Sequence, residues 1–457
     1  MTRPDSVTSA DYSGVFKACD IRGEFGVGLD IDLADRLGRA LAAPGVRPSV
    51  LVCGDGRLST PVLKSTLVAS LCRAGAHVLD GGVAPTPAFH HARRKLGVDL
   101  GVMVTASHNP AADNGFKVAV GALPPTVADM LRLRGAVEAD PARPAEAPGT
   151  VGVIEVLGSY CADVLVRAAT LTGLRVALDC SSGVLGPIAA GVWRALGAEV
   201  IAVNEMVDGA FPAHPPNPAV AANLTQLQDL VLGVGADLGA AYDGDGDRVA
   251  FVDGRGRVVA SDAAIVLMAR AALRESPGAA VIYDQKCSDV VREEIARAGG
   301  SPVMERSGYA FIKSSLLAHR AAYAGELSGH HFFLDVEGDD ALLASLRFAA
   351  EVYGSGAGLD RIVDEIPHYP GTPDLRVPCD EGMAERVLEG LRTGLRSCAA
   401  LSELDGVRAR FEDGWGMARR SVTEPVLTLR FEGRTEEALE RVREEFRTAA
   451  PDLVGRI

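Results

Sequence analysis

Short apolar runs suited to buried strands recur at three places: Val50-Leu51-Val52-Cys53, Val176-Ala177-Leu178-Asp179 and Ala280-Val281-Ile282-Tyr283-Asp284. Each opens into a helical stretch that ends at a glycine, Gly75, Gly197 or Gly299, and a valine soon after starts another strand. Glycine suits the residue that closes a helix. This rhythm predicts α/β units around largely buried sheets. Each unit then adds a strand that runs into a polar loop. The first is Asp99 to Val104 into Thr105-Ala106-Ser107-His108-Asn109-Pro110. The second is Asp237 to Tyr242 into Asp243-Gly244-Asp245-Gly246-Asp247-Arg248. The third is Arg320 to Ala324 into Gly325-Glu326-Leu327-Ser328-Gly329-His330. The first two share an Asp-Leu-Gly entry and look like copies. Loops at strand ends are where α/β units place their chemistry.

After Ile366-Pro367-His368-Tyr369-Pro370 the pattern changes. Alternating strands such as Val426 to Phe431 precede one charged helix from Thr435 to about Ala449, which predicts a smaller α+β domain. A Pro- and Ala-rich linker, Pro141 to Gly149, separates the first two units. The expected domains are therefore 1–148, 149–255, 256–367 and 368–457.

Composition narrows the classes of function. The 457 residues are 47% hydrophobic and 23% charged, enough apolar material for several cores. The net charge of -14 argues against a general nucleic-acid binder, though not against a local basic pocket. No apolar run approaches the ~20 residues of a membrane span, and the N-terminus has no apolar signal region. The eight cysteines lie singly and read as buried free thiols. The expectation is a cytoplasmic protein with no membrane or nucleic-acid partner. Only Lys17, Lys64, Lys95, Lys117, Lys286 and Lys313 are lysines, so a retained Lys stands out in an Arg-rich chain.

Asp243, Asp245 and Asp247 alternate with glycines, so a tight loop can turn all three carboxylates inward. An all-oxygen set suits a hard cation such as Mg²⁺. A calcium loop of the EF-hand kind would need Glu at its twelfth position, where Gly254 stands. Ser107 sits on a strand-to-loop turn beside His108, its hydroxyl expected to be exposed. The surroundings are not Gly-x-Ser-x-Gly, so a hydrolase elbow is not indicated. Asn114-Gly115 reads as a tight turn that brings Lys117 back toward Ser107. Glu326, Ser328 and His330 offer an acceptor, a hydroxyl and an imidazole, as recognition of sugar hydroxyls requires. His331 reads as structural. Arg419-Arg420-Ser421-Val422-Thr423-Glu424-Pro425, with Arg430 beyond, gathers guanidinium and hydroxyl donors suited to phosphate. A solvated arginine pair fits the same residues.

In this order the segments resemble the α-D-phosphohexomutase family, specifically its phosphomannomutase/phosphoglucomutase branch, over essentially the whole chain. The resemblance implies three related α/β domains with mixed sheets plus a smaller α+β C-terminal domain around a central cleft. It implies interconversion of hexose 1-phosphate and hexose 6-phosphate, of mannose or glucose, through a phosphoserine at Ser107 and a hexose 1,6-bisphosphate, which also serves as activator. Asp243, Asp245 and Asp247 would hold Mg²⁺ together with Ser107. Arg248 would support the charge network. Arg22, in Cys19-Asp20-Ile21-Arg22-Gly23, would lie near the transferring phosphate. Lys117 and His108 match proton-transfer and phosphoserine-contacting positions. Glu326, Ser328 and His330 match the sugar-binding loop, Lys286 a substrate-contacting lysine, and Arg419, Ser421, Thr423 and Arg430 a clamp for the distal phosphate.

The chain departs from the family's pattern at four positions. Cys19 stands where many members have Tyr, Tyr309 where many have His, Val422 where Asn or Gly is usual, and Gly54 where Arg is usual. Tyr309 joins the candidate substrate-binding residues. These departures bear on sugar preference and turnover more than on reaction class. The rival readings are a mutase for another sugar phosphate, such as glucosamine phosphate, and a non-catalytic relative that senses sugar phosphates.

Overall fold

The strand Ser49–Gly54 carries the first apolar run, and the helix Thr60–Arg73 that follows it buries Leu63, Leu67 and Leu71 on one side. Beyond the helix, Gly75 takes a φ of 95°, and Gly197 and Gly299 do the same at 93° and 79°. Those left-handed angles cost little only without a Cβ, so each glycine turns the chain from helix into the next strand. The computed structural model describes residues 11–42, 47–140, 147–421 and 425–457. Most of the expected linker, residues 141–146, lies outside that range.

The first sheet has six strands in the order Ile21–Glu24, Asp113–Val120, Leu100–Val104, Ser49–Gly54, His77–Val83, Val151–Val153. Its last strand follows residue 148, where the sequence places a domain boundary, yet it pairs in parallel with His77–Val83. The second sheet has four strands, Val249–Asp253, Leu238–Tyr242, Arg175–Asp179 and Glu199–Val203. The third has five, from Ser301–Glu305 through Ala280–Asp284, Tyr323–Gly325 and His331–Phe333 to Gly338–Asp339.

All three sheets are mixed in the same way. Parallel strands build the centre, and the last of them turns back into an antiparallel neighbour: Leu100–Val104 with Asp113–Val120, Leu238–Tyr242 with Val249–Asp253, and Tyr323–Gly325 with His331–Phe333. The three polar loops are those turns. Equivalent topology thus carries the Ser107, Asp243 and Glu326 loops to equivalent places.

The fourth sheet is antiparallel, with strands Leu375–Pro378, Val426–Gly433, Gly414–Arg420, Val407–Arg410 and Ala400–Ser402. Among the described residues two α-helices belong to this part, where the sequence pattern predicts one. Glu381–Gly394 precedes most of the strands, capped by the Asp380 carboxylate on the Met383 N–H. The expected helix spans Glu436–Ala449 and is capped by Thr435.

Packing divides the molecule unevenly. One core runs through the first three units and includes Phe89, Trp193 and Phe348, all fully buried. The C-terminal unit has its own core around Val387, Leu429, Phe431 and Phe446. It joins the third unit through polar groups: Arg408 and Arg410 both donate to the Asp289 carboxylate, at 3.1 and 3.0 Å, and Glu432 accepts from the Asp289 N–H and the Trp415 indole. All eight cysteines are free; three are buried as expected, whereas Cys398 is exposed. Among the described residues no helix is long and apolar enough to cross a membrane.

Candidate functional site

Ser107 lies where the first unit's turn meets the second. Its φ is 51°, a left-handed angle that L side chains rarely take. The expectation of an exposed hydroxyl is wrong: Ser107 is 1% exposed, because the Asp243 loop covers it. The Ser107 Oγ donates to Asp243 Oδ2 at 2.7 Å and lies 3.2 Å from His108 Nδ1. A Cβ on Gly244 would come within 2.7 Å of the Ser107 carbonyl, so only glycine lets the two loops approach.

The three aspartates are buried; Asp243 has both oxygens tied down, Asp245 and Asp247 one each. Asp243 Oδ1 accepts the N–H groups of Gly246, Asp247 and Arg248 at 2.9, 3.0 and 3.2 Å. Asp245 Oδ2 accepts from Thr86 Oγ1, Thr105 Oγ1 and Lys117 Nζ. Asp247 Oδ2 accepts from Lys117 Nζ at 2.5 Å. The other oxygens, Asp245 Oδ1 and Asp247 Oδ1, are buried with no hydrogen-bond partner. Buried carboxylate oxygens left bare are costly. The three residues offer ligand atoms within 4.8 Å of one another, and this donor set fits a metal ion.

The electrostatics follow from that crowding. Burial, with the charges of Asp247 and Asp245, drives the Asp243 carboxyl well above the usual carboxylate range. Burial opposes the charge on Lys117, but Asp245 and Asp247 outweigh it and hold the ammonium more firmly protonated than in water. Arg22 behaves alike: burial weakens its charge, and Asp20 at 2.8 Å with Asp245 and Asp247 more than restores it. Burial and the nearby Arg248 and Arg22 push His108 well below the ordinary imidazole value, so it stands neutral beside Ser107.

Lys117 reaches this cluster by a route other than the expected one. Asn114-Gly115 is not a turn; both residues lie inside the strand Asp113–Val120. Gly115 is there for close approach, since a Cβ would come 2.2 Å from the Ile21 carbonyl and 2.8 Å from that of Thr105. Pairing with Met103 places Lys117 beside the strand that leads to Ser107.

The third unit's loop closes on the same cluster. Arg248 Nε donates to His330 Nε2 at 2.9 Å, and the Val249 N–H donates to the Gly329 carbonyl. On its other side His330 Nδ1 lies 2.7 Å from Asp339 Oδ2 and 3.7 Å from Asp247 Oδ1. Glu326 Oε2 and Ser328 Oγ are buried without partners. Tyr309 donates to the Cys19 carbonyl at 3.3 Å, and its ring lies 5.9 Å from Lys117 Nζ. Two of the departures from the family pattern thus meet across the first and third units. His331 hydrogen-bonds the buried Tyr323 hydroxyl, and burial with the charge of His330 lowers its pKa to about 3.

The C-terminal candidates form a second group. Lys286 Nζ lies 3.3 Å from Asp374 Oδ2, and Arg430 lies 3.8 Å from the same carboxylate and 3.9 Å from Asp262. Arg419 pairs with Asp405 at 3.0 Å. The Ser421 N–H donates to the Val426 carbonyl. Thr423 and Val422 lie outside the described residues.

The sequence reading missed Arg57, Thr86 and Asp339. Arg57 is buried and donates to the carbonyls of Ser107, Asn109, Pro110 and Asp113, at 2.8, 2.7, 2.5 and 2.9 Å. Its signal was the Asp55-Gly56-Arg57 turn, a charged pair next to a buried strand. Asp339 was visible as half of Asp339-Asp340, but nothing local ties it to His330.

Four models of one family match the chain in order. The α/β/α domains I, II and III of phosphoglucomutase/phosphomannomutase match residues 13–133, 155–256 and 260–369, and the C-terminal domain matches 375–449. The chain belongs to the phosphoglucomutase/phosphomannomutase family. It is 35% identical to the phosphomannomutase/phosphoglucomutase of Pseudomonas syringae pv. tomato, covering 99% of each protein. It is 34% identical to a phosphoglucomutase of Neisseria gonorrhoeae over 95% of this chain and 96% of that one. A phosphoglucomutase/phosphomannomutase family protein of Burkholderia thailandensis, solved by crystallography, superposes with a TM-score of 0.89 at 33% identity, covering 97% and 98% of the two chains. Its family's fold, three α/β domains and a distinct C-terminal one, is the fold described above.

Proposed function

We propose that this protein interconverts hexose 1-phosphate and hexose 6-phosphate, with mannose and glucose as the sugars, by passing a phosphoryl group through Ser107. The observation that carries the reading is the contact of Ser107 Oγ with Asp243 Oδ2, beside the bare oxygens of Asp245 and Asp247. A nucleophile on an anionic cluster with unfilled oxygens is arranged for a cation and a phosphate together. The all-oxygen set suits Mg²⁺, held by Asp243, Asp245, Asp247 and an oxygen of phosphorylated Ser107. Bound there, the ion supplies positive charge to the transferring phosphoryl group.

The remaining work falls to side chains. Phosphoryl transfer needs in-line positioning and neutralised equatorial oxygens. Arg22, whose Nε has no partner in the buried site, supplies one guanidinium for those oxygens. Lys117 and His108 serve the proton transfers: neutral His108 can take the proton of the attacking sugar hydroxyl, and Lys117, held protonated, can give one to the leaving oxygen. Arg248 fixes His330 by its hydrogen bond to Nε2. Glu326 Oε2 and Ser328 Oγ bind the sugar 3- and 4-hydroxyls. The hexose 1,6-bisphosphate then turns end for end. Arg419, Ser421, Thr423 and Arg430 hold the distal phosphate in both orientations, Lys286 contacts the substrate, and Tyr309 forms part of the pocket wall. The four expected domains each contribute one of these loops, and the enzyme works in the cytoplasm.

A coupled assay with the 1-phosphates of mannose, glucose, glucosamine and galactose, with Mg²⁺ and a hexose bisphosphate, tests the reading. Glucose and mannose differ only at C2, which no named residue reads. Both react, with kcat/KM within roughly two orders of magnitude, as for weak pocket discrimination. Galactose, inverted at C4, reacts far worse. Exclusion of either glucose or mannose would refute the reading of the Glu326 loop.

A further inference from the structure

Where the first and third units meet, beside the start of the strand Leu100–Val104, lies a cavity of about 330 Å³ lined by His90, Arg93, Arg94 and Lys313, with Asp99 and Glu337 also on its wall. His90 and Arg94 are one turn apart on the helix Thr86–Leu96 and so share a face. Lys313 comes from another helix, Tyr309–His319. It is one of the six lysines in the chain and is 6% exposed.

These groups lack counter-ions. Among the described residues Lys313, His90 and Arg94 make no hydrogen bond or ion pair. Arg93 is occupied by the carbonyls of Val98 and Gly121. Asp99 and Glu337 are exposed and pair with none of the cations. The arginines near the end of their helix also face its negative pole, which accounts for cations there. It does not account for Lys313, which belongs to a different helix; His90 stands neutral, its pKa pushed well down by burial and by Lys313, and offers a ring N–H as a donor. Lys313 is thus a buried cation without a partner, and such a charge is ordinarily paired, because leaving it alone away from water is costly. Burial lowers the Lys313 pKa to about 8 against the pull of Asp339, and Arg94 and Arg93 add to the lowering.

We propose that this cavity is a second anion site, distinct from the sugar-phosphate cleft, that binds inorganic phosphate or the phosphate of a small ester between Lys313, His90 and Arg94. Its volume lies at the small end of ligand pockets, which begin near roughly 300 Å³. The site is coupled to the cleft by a short path. Lys313 Nζ lies 3.4 Å from where a Cβ on Gly338 would stand, and the next residue, Asp339, contacts His330 Nδ1 at 2.7 Å. An anion that draws Lys313 toward the cavity leaves Asp339 with less positive charge beside it, and so alters the partner of His330.

Equilibrium dialysis of the full chain against radiolabelled phosphate tests the site. Lys313→Met and Arg94→Gln each lose one equivalent of bound phosphate, or bind it at least tenfold more weakly, whereas Arg419→Ala retains it. Arg94 is exposed, so its variant keeps the test decisive if Lys313→Met fails to fold. Unchanged stoichiometry and affinity in Arg94→Gln overturns the proposal, as does loss of all phosphate binding in Arg419→Ala. Competition by methyl phosphate separates the sources. Displacement of the Lys313-dependent equivalent supports an ester ligand; retention against excess methyl phosphate supports free phosphate.

Discussion

Arg57 donates to the Ser107 carbonyl at 2.8 Å, and the same guanidinium serves the carbonyls of Asn109, Pro110 and Asp113. One buried side chain therefore ties down the main chain from Ser107 onward to Asp113. Asp55 balances its charge at 3.2 Å, and the Phe211 ring of the second unit lies 5.1 Å from the guanidinium carbon. The strained φ of Ser107 persists because this surrounding structure fixes it.

Arg57→Met removes every one of those donors. An unsatisfied buried acceptor costs about 1–3 kcal/mol, and Asp55 also loses its counter-charge. The variant is expected to lose at least about 3 kcal/mol of stability in urea unfolding and to lose most of its turnover. Arg57→Lys restores the charge but not the planar fork, so it recovers stability only in part. A wild-type urea midpoint and kcat in Arg57→Met would show that the loop holds its shape without this residue.

Ser107→Ala is expected to lower turnover by several orders of magnitude and to leave the fold intact. Its burial does not change that expectation, since the substitution deletes only an oxygen whose partner is Asp243. Circular dichroism checks the fold, and intact-protein mass checks for phosphate on the wild-type chain that is absent from the variant. Near wild-type activity in the variant would rule out the phosphoserine route.

Asp245→Asn leaves Asp243 and Asp247 in place and removes one negative charge from the cation site. The Mg²⁺ concentration for half-maximal activity is expected to rise at least tenfold, and a chelator is expected to abolish activity in the wild type. An unchanged Mg²⁺ titration in the variant would exclude these carboxylates as the ligand set.

The repeat, its loops and the helix-closing glycines were legible in the sequence, because each rests on local physics: strand periodicity, helix termination, and carboxylates too crowded to stand alone. What failed were inferences about distant neighbours. Gly115 looked like a turn residue, yet its small size serves the Ile21 and Thr105 carbonyls, which only the folded sheet brings near. Ser107 looked exposed because the loop that covers it lies more than 130 residues later, at Asp243. Arg57 acts through four main-chain carbonyls, which leave no pattern in side-chain identity. The helix Glu381–Gly394 leaves a weaker trace in the sequence because Gly382, Gly390 and Gly394, poor helix formers, fall within it.

Lys313 makes stability depend on pH in the alkaline range. Its pKa falls to about 8 in the folded protein from 10.5 in the unfolded reference. Between those values the unfolded chain binds the extra proton, so stability rises as pH rises from about 8 to about 10.5. The full difference is on the order of 3 kcal/mol. Subtracting the Lys313→Met curve from the wild-type curve of unfolding free energy against pH isolates this rise from other titrating groups. A flat difference curve would show that Lys313 is not held in a desolvated, cation-rich setting.

Arg419 and Arg420 are adjacent in sequence but point to opposite faces of the C-terminal sheet. Met417 pairs with Arg430 and Arg419 with Thr428, so Arg419 and Arg430 share a face. Arg420 pairs with Leu427, on the face where Ala418, Leu429 and Phe431 pack into the core, and its guanidinium reaches out to exposed Glu381. Arg430 in turn lies by Asp374, the carboxylate that also meets Lys286. A phosphate that engages Arg430 thus finds Arg419 on its own side of the sheet and Arg420 on the other. Arg419→Ala is expected to raise KM for hexose 1-phosphates at least tenfold with a smaller change in kcat, the pattern of binding shared by ground and transition states. Arg420→Ala removes an exposed ion pair and is expected to leave KM within about twofold, in keeping with the small value of such pairs. Steady-state kinetics on the two variants decide the matter: equal KM increases would show that the distal phosphate is not held from the Arg419 face.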